Sequence, residues 1–235
     1  MLPLRDNIRS SSFPIVNVAI IVVCAIVFLF QAFTPGHLID WAFKPRELVS
    51  LTAIAGQGLG VIIEKLFASI FMHGGFLHIG VNMLFLWVFG DNVEDRMGHW
   101  RYLLFYVACG IVGNLAHALL SGFSPQPIVG ASGAIAGVMG AYFVLFRFAM
   151  IRTFALIIFF PIVFDLPAPI FLVYWFILQL LIGVGTIGLA TGVAVWAHVG
   201  GFASGYLLAQ RLARPLLPPP DSRTIRPRVV HMRID

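Results

Sequence analysis

The segment Gly130-Ala131-Ser132-Gly133-Ala134-Ile135-Ala136-Gly137 decides how the rest of the chain is interpreted. It carries no formal charge, and a single hydroxyl lies among glycines and alanines. The segment follows a proline-broken stretch, Ser124-Pro125-Gln126-Pro127, and opens an apolar run that continues to Phe146. Ser132 is therefore predicted close to the first turn of a membrane helix, where a polar side chain needs a partner or a function.

The overall composition predicts a polytopic membrane protein. The 235 residues are 60% hydrophobic and only 11% charged, whereas a soluble domain carries about a quarter charged residues. The net charge of +5 follows the predicted topology, so we predict no nucleic-acid partner. Cys24 and Cys109 lie inside apolar runs and are interpreted as buried thiols, because they form neither a disulfide framework nor a metal-binding spacing.

Six apolar runs are long enough to be crossing helices, since about 20 apolar residues span the hydrocarbon. The fold class predicted is all-α, with six transmembrane helices at about 13–33, 67–89, 102–122, 129–146, 167–184 and 193–210. A shorter apolar piece at 154–164 contains Pro161 and is too short to cross. We predict that this piece is interfacial or re-entrant.

The positions of the basic residues predict that both termini are cytoplasmic. With the N-terminus inside, twelve of the 15 lysines and arginines fall in inside segments, as the positive-inside rule expects. The long first external loop, 34–66, is apolar and is predicted to lie in the interface, with Trp41 as an anchor. The predicted organisation is a short cytoplasmic N-terminus (1–12), a six-helix membrane domain (13–212) and a basic, Pro-rich cytoplasmic tail (213–235) held near anionic headgroups.

Polar side chains within the predicted spans are few, and each is a candidate for function. They are His73, His78, Asn82, Asn114, His117, Ser132, Gln179, His198 and Ser204. No Asp, Glu, Lys or Arg lies deep in any predicted span, which disfavours a proton-coupled transporter. At 1.5 Å of rise per residue, Ser132, His198 and His78 all lie roughly 20 Å above the inner boundary, so three spans bring reactive groups to one level.

Two small-residue pairs predict that the fourth and sixth spans pack closely. Gly133 and Gly137 form one GxxxG pair, and Gly201 and Gly205 form the other. Such pairs let helix backbones approach each other. Packing along these glycines would place Ser132 and His198 within hydrogen-bonding distance.

Nucleophilic catalysis is the chemistry that this arrangement permits. A serine hydroxyl needs a base within hydrogen-bonding reach, and a neutral histidine is suited to that task. No carboxylate is available at this depth, so the hypothesis is a Ser132–His198 dyad. The backbone N–H of Ser132, the Asn82 amide and the His78 ring are the candidate donors to a developing oxyanion.

Simpler interpretations remain open for each residue at this point. Ser132 could bond to its own helix, His198 could be a packed histidine or a partner of Gln179, and Asn82 could join two helices. His73, near the outer boundary, could have a structural or solvent-facing role, and Asn114 and His117 are interpreted as structural. A metal site from His73, His78 and His198 is disfavoured, because there is no HExxH, no second-shell carboxylate and no cysteine cluster; we predict no metal and no cofactor.

Three blocks of sequence resemble those of the rhomboid family of intramembrane serine proteases. The first is His73-Gly74-Gly75-Phe76-Leu77-His78-Ile79-Gly80-Val81-Asn82-Met83, with two histidines and an asparagine at the family's intervals. The second, Gly130-Ala131-Ser132-Gly133, is similar to the family's GxSG motif. The third, from Ala197-His198 to Gly205, is similar to its AHxxGxxxG pattern. The resemblance covers about 67–212.

The resemblance implies peptide hydrolysis within or at the edge of the membrane. It makes Ser132 the nucleophile, His198 the base, and His78, Asn82 and the Ser132 amide the oxyanion hole. His73 would support the outer part of the site, and Gly130, Gly133, Gly201 and Gly205 belong to the supporting motifs. The only partners implied are the lipid bilayer and single-span membrane proteins as substrates, which would pass the fifth span and the glycine-rich loop 183–192; we assign no oligomeric state.

Three further expectations accompany the resemblance. Trp175 and Phe176 on the fifth span are candidates for the gate. The chain departs from many bacterial relatives in carrying Glu64-Lys65 where they have Trp-Arg. The six-span pattern favours a bacterial inner membrane. The alternative function is that of a non-proteolytic rhomboid-like protein that binds membrane substrates, although such relatives usually lack the serine or the histidine.

Overall fold

A computed structural model describes residues 1–34, 40–186 and 194–213 of the chain. Its elements in order are β1 (Leu2–Asp6), α1 (Ile15–Phe33), α2 (Leu51–Gln57), α3 (Leu59–Ala68), α4 (Phe76–Met97), α5 (His99–Leu120), α6 (Ser132–Leu145), β2 (Met150–Ile157), β3 (Phe160–Pro167), α7 (Ala168–Gly185) and α8 (Val195–Leu212). Two 3-10 turns lie at Pro45–Leu48 and Ser69–Phe71. The predicted tail from 214 onward and residues 187–192 of the predicted external loop lie outside the described residues.

Four of the described helices are long and apolar enough to cross a membrane: α1, α4, α5 and α7. A fifth candidate is the pair of Leu51–Gln57 and Leu59–Phe71, which is bent by 94° and has the form of a broken span or a re-entrant loop. The predicted fourth span is the 14-residue helix α6, which rises only about 21 Å. The predicted sixth span is α8, whose 18 residues include His198, Gln210 and Arg211 and lie outside the set of four. A mostly helical membrane protein is therefore observed, and the count of six crossings stays a prediction.

Helix α6 lies at the centre of the helical bundle. It packs against α4, α5, α7 and α8, and every residue from Gly133 to Tyr142 is buried. A helix that is apolar all round is expected to be enclosed by protein. The short helix that begins at Ser132 is therefore surrounded by other helices, and its length does not have to match the thickness of a bilayer.

The closest packing within the bundle is between α6 and α8, at the glycines of the two GxxxG pairs. A Cβ atom added to Gly201 would lie 1.9 Å from the carbonyl oxygen of Gly133, and one added to Gly205 would lie 1.9 Å from that of Gly137. Backbone touches backbone at both points, which is possible only without side chains. This is the packing that the sequence predicts for these two spans.

The predicted second span, 67–89, is wrong at both ends. Gly74-Gly75 interrupts the apolar run, so residues 69–71 form a separate 3-10 turn and the helix begins at Phe76. The helix continues to Met97 and ends at Gly98, whose φ of +82° lets the chain turn directly into α5. The polar residues of this last part have partners inside the protein: Glu94 is 1% exposed and accepts hydrogen bonds from the backbone N–H groups of Val16 and Asn17 in the first turn of α1.

A three-stranded antiparallel sheet, in the order β1-β2-β3, corrects the prediction of an all-α fold. The apolar piece at 154–164 lies in this sheet, as parts of β2 and β3 and the turn between them, and not in a re-entrant helix. The reason is that a short apolar run has the same hydropathy in a strand as in a helix. Its β-branched and aromatic residues, such as Ile162, Val163 and Phe164, favour the strand.

The N-terminal residues are part of the packed structure through β1. Leu2 is paired with Phe154 and Asp6 with Ile151 across the sheet. The Oδ2 atom of Asp6 accepts hydrogen bonds from the Tyr142 hydroxyl of α6 and the Asn92 amide of α4. Burial raises the pKa of the Asp6 carboxyl above its ordinary value. The first strand thus ties the sheet to the end of the helix that begins at Ser132.

The first loop is largely folded in its described part, and Lys65 is one of the residues that hold it. Lys65 is 8% exposed, and its Nζ atom lies 3.1 Å from Oε1 of Glu47 and 3.0 Å from Oε1 of Gln57. The lysine of the unusual Glu64-Lys65 pair therefore joins α3 to the turn at Pro45–Leu48. Trp41, the predicted interface anchor, is 45% exposed.

Candidate active site

The side chains of Ser132 and His198 are in direct contact. Ser132 is the first residue of α6, and His198 lies on the first turn of α8. The Oγ atom of Ser132 lies 2.8 Å from the Nε2 atom of His198. This distance is in the normal range for a hydrogen bond between a hydroxyl and a ring nitrogen, and it is the contact that a serine–histidine dyad requires.

The other ring nitrogen of His198 contacts α7. Its Nδ1 atom lies 2.8 Å from the Oε1 atom of Gln179. The sequence showed Gln179 only as a polar residue in a span and as one possible partner of the histidine. Nothing in its local sequence pattern assigned it to the site, because α7 and α8 are joined by a loop whose path the sequence does not define.

His78 lies on the first turn of α4, and its ring faces the loop that precedes Ser132. The Gly74 N–H donates to Nδ1 of His78 over 3.2 Å, so in a neutral ring Nε2 carries the proton. A Cβ atom on Gly130 would lie 2.9 Å from this Nε2 atom, and Gly130 has a φ of +135°. A side chain at position 130 is therefore excluded both by the His78 ring and by the backbone conformation.

Asn82 lies one helical turn below His78 and also lines the site. Its Nδ2 atom donates to the His78 carbonyl oxygen over 3.0 Å, and the side chain is 5% exposed. A primary amide has two N–H groups, so this bond to its own helix uses only one of them. Asn82 therefore has both a structural bond and a second donor at the cavity.

His73 lies at the edge of the site. Its ring packs edge-on against His78, with the ring centroids 5.2 Å apart. Its backbone is fixed by a reciprocal pair of hydrogen bonds, in which the Gln31 amide donates to the His73 carbonyl and accepts from the His73 N–H. Gln31 was not identified from the sequence, although a glutamine near the end of an otherwise apolar span was a signal that could have been used.

A cavity of about 270 Å³ lies between Ser132, His198 and His78. Its lining includes His78, Asn82, Ser132, Gln179, His198 and Trp175, together with apolar side chains. Of the two candidate gate residues, Trp175 forms part of the cavity wall, with its ring centroid 5.8 Å from that of His198. Phe176 packs on Phe202 of α8 at 4.7 Å.

Two further polar candidates from the spans, Asn114 and Ser204, have bonds elsewhere. Asn114 donates to the Ser69 hydroxyl over 3.0 Å, and Ser204 donates to the Gly201 carbonyl of its own helix. His117 is not among the residues that line the cavity. Within residues 1–34, 40–186 and 194–213, no group of three or more His, Cys, Asp or Glu side chains has the arrangement of a metal site.

Comparison with known proteins places the chain in a family. Residues 60–215 match the profile of the Rhomboid domain. The chain is 46% identical over 77 residues to rhomboid protease GluP of Bacillus subtilis, a match that covers 33% of this chain and 15% of GluP. It is 34% identical over 150 residues to RHOMBOID-like protein 1 of Arabidopsis thaliana, which covers 62% of this chain and 33% of that protein.

A third relative is named as an inactive member of the family. Inactive rhomboid protein 1 of Drosophila melanogaster is 28% identical over 119 residues, or 48% of this chain and 8% of that protein. In each of these comparisons the match spans only a minor part of the relative. Because the domain match covers well over half of the sequence, the chain belongs to the rhomboid family, and with its four long apolar helices it is an integral membrane protein.

Proposed function

We propose that the protein is an intramembrane serine protease that cleaves single-span membrane proteins with a Ser132–His198 dyad. The observation that carries the proposal is the 2.8 Å contact between Ser132 Oγ and His198 Nε2 in a bundle of apolar helices. A serine beside a neutral histidine is a nucleophile with its base. The cavity that both side chains line gives a peptide bond room to reach them.

The proposed reaction divides hydrolysis into two steps. Ser132 Oγ attacks the carbonyl carbon of the peptide bond, and its proton passes to Nε2 of His198. The tetrahedral intermediate then collapses as His198 returns the proton to the leaving nitrogen, which leaves an acyl ester on Ser132. Water, deprotonated by His198, hydrolyses the ester and regenerates both side chains.

The donors for the oxyanion are proposed to be the Ser132 N–H, His78 Nε2–H and the second N–H of Asn82. The Ser132 N–H begins α6, where backbone N–H groups have no partner within the helix. His78 is oriented by Gly74 so that Nε2 is its donor. Fixed donors of this kind stabilise negative charge that develops during the reaction.

The proposed setting follows the charge pattern of the sequence. We place both termini in the cytoplasm, six spans in a bacterial inner membrane, and the basic tail of 213–235 at the inner leaflet. His73 and the glycines 130, 133, 201 and 205 are proposed as supporting residues. Trp175, in the cavity wall, is proposed to be part of the gate through which a substrate segment reaches Ser132.

A non-proteolytic role in binding membrane proteins is the second candidate, because one relative is named an inactive rhomboid protein. The presence and contact of Ser132 and His198 favour the protease. The two functions differ in whether Ser132 is chemically reactive, which a small probe can report without knowledge of the natural substrate.

The experiment is covalent labelling of the purified protein with a fluorophosphonate. We expect Ser132 Oγ to attack phosphorus and displace fluoride, so that peptide mass spectrometry finds the adduct on Ser132. His198→Ala is expected to reduce the labelling rate by about 10²- to 10⁴-fold, the usual contribution of a general base. Ser204→Ala, which alters a serine bonded to its own helix, should label normally. An unreactive wild-type protein would favour the binding role.

A further inference from the structure

We propose that Gln179 is a positioning residue that sets the tautomer of His198, an inference that rests on the proposed protease function. His198 acts as a base toward Ser132 only when Nε2 has a free lone pair. That condition requires the proton of the neutral ring to be on Nδ1. The atom that faces Nδ1 therefore determines whether the neutral ring has the tautomer in which Nε2 can accept a proton.

The Oε1 atom of Gln179 is the atom found there, 2.8 Å from Nδ1. An amide oxygen only accepts hydrogen bonds, so this contact favours the Nδ1–H tautomer and leaves Nε2 to accept from Ser132. In soluble serine proteases a carboxylate holds the histidine in this way. Here a neutral amide does so, at a cavity whose lining, among the residues that the structure describes, includes no Asp or Glu.

The location of Gln179 on α7 couples the orientation of His198 to access to the cavity. Gln179 is on α7, the helix that also supplies Trp175 to the cavity wall. A displacement of α7 away from α8 would break the bond to Nδ1 at the same time as it opened the cavity. The base is then fully oriented only when α7 packs against α8.

The test compares two variants at position 179 with the wild type and with a control variant elsewhere on α7. Gln179→Leu removes the acceptor with little change in size, whereas Gln179→Glu keeps an oxygen that only accepts. We expect Gln179→Leu to lower the fluorophosphonate labelling rate and kcat for a single-span reporter by about 10- to 100-fold, the cost of losing a partner that orients a histidine in metal sites, with a smaller change in KM. Gln179→Glu should restore at least a third of the wild-type rate. Leu181→Ala, on the exposed part of the same helix, is the control for a general effect on α7.

A second measurement reports the tautomer without any need for activity. Protein labelled with ¹⁵N-histidine is compared by NMR as wild type, Gln179→Leu and His198→Asn, the last to assign the signals. The proposal expects the His198 signals to change from the Nδ1–H pattern to a mixture in Gln179→Leu. An unchanged tautomer, or Gln179→Leu labelling at the wild-type rate, would overturn the role of Gln179 and leave the protease proposal intact. A wild-type protein that shows the tautomer but no labelling would instead refute the protease.

Independent evidence supports a second inference, on the β-hairpin of β2 and β3. We propose that the tip of this hairpin inserts shallowly into the bilayer. At the tip, large apolar side chains are exposed on both faces, among them Leu156, Ile158, Phe159, Phe160 and Val163; Phe159 is 85% exposed. An exposed apolar cluster of this kind marks a surface that is covered in the working molecule.

The lipid bilayer is the occupant indicated by the position of the hairpin. β3 ends at Pro167 and the membrane helix α7 begins at Ala168, so the base of the hairpin is at the end of a span. Around this base lie the exposed arginines 5, 9 and 147, which are complementary to anionic headgroups, whereas Arg152 is ion-paired with Asp165. The apolar tip would contact the lipid tails, and the basic residues at the other end of the hairpin would contact the headgroups.

Two features of the backbone support shallow insertion at the tip. β3 is an edge strand, and its unpaired backbone groups are too costly to place in the middle of the hydrocarbon. Ile158 has a φ of +57°, a conformation that β-branched residues rarely adopt. The backbone conformation of the turn therefore does not favour an isoleucine at this position, whereas contact of the side chain with lipid does.

The test is a fluorescence depth measurement on Phe159→Cys carrying an NBD label, in vesicles of phosphatidylethanolamine and phosphatidylglycerol. Cys24 and Cys109 are fully buried, and the unmutated protein measures any background labelling. We expect a blue-shifted emission and stronger quenching by lipids with a nitroxide at carbon 5 than at carbon 12. Gln126→Cys, in an exposed polar loop, should emit as in water. Water-like emission from position 159 would overturn the proposal and leave a protein partner as the candidate for the tip.

Discussion

Replacing Ser132 with alanine is expected to abolish proteolysis and leave the fold unchanged. The substitution removes one oxygen atom from the first turn of α6, the atom proposed to form the covalent bond to the substrate. In a soluble serine protease the loss of the nucleophile lowers kcat by about 10⁶-fold. Even a much smaller loss would bring cleavage below detection, because within residues 1–34, 40–186 and 194–213 no hydroxyl or thiol other than that of Ser132 is bonded to the His198 ring.

The measurement is cleavage of a reporter that contains one transmembrane segment, by purified enzyme in detergent and in vesicles. Gly133 remains in place, so the α6–α8 contact should persist and the melting temperature should change by only a few degrees. Ser204→Ala again provides the matched control, since its hydroxyl donates to the Gly201 carbonyl and not to the cavity. Cleavage by Ser132→Ala at the wild-type rate would show that the dyad assignment is incorrect, or that a contaminating protease produced the activity.

The proposed dyad could be predicted from the sequence because its geometry depends on helix periodicity and small residues. One GxxxG pair begins next to Ser132 and the other three residues after His198, so the close packing of α6 on α8 needed no information about loops. The depth estimate required only the rise per residue. Helix periodicity and small-residue spacing are local features, and both can be identified from the sequence alone.

For the opposite reason the sheet could not be predicted, and the contact of Gln179 with His198 could be named only as one of several alternatives. The pairing of Leu2 with Phe154 joins residues that are far apart in the chain, and hydropathy carries no signal for such a partner. Gln179 contacts His198 only because α7 packs beside α8 and is rotated about its own axis so that Gln179 faces α8. Likewise Glu94 was predicted to be beyond a span, yet it caps α1 within the protein, because long-range partners decide whether a carboxylate is buried.

Gly205→Ala is expected to be strongly destabilising and to reduce proteolysis, although the residue is two turns from His198. Its Cβ atom would lie 1.9 Å from the carbonyl oxygen and 2.5 Å from the carbonyl carbon of Gly137. The clash is with backbone, which has no rotamer to change, so α6 and α8 must separate. Overpacking of this kind costs about 1–3 kcal/mol or more, which outweighs the gain of about 1 kcal/mol in helix propensity.

Separation of the two helices also increases the distance between Ser132 Oγ and His198 Nε2, which is 2.8 Å in the native packing. A displacement of about 1 Å can lower the rate by about 10²-fold, so we expect both a lower melting temperature and a loss of fluorophosphonate labelling. Gly80→Ala is the matched control, because a Cβ atom there meets nothing within 4 Å and the change should be neutral or stabilising by up to about 1 kcal/mol. If Gly205→Ala melts and labels like Gly80→Ala, then the glycine contact does not determine the distance between the two helices, and the packing argument for the dyad fails. Loss of labelling with unchanged stability would instead show that the contact orients the dyad without contributing to the fold.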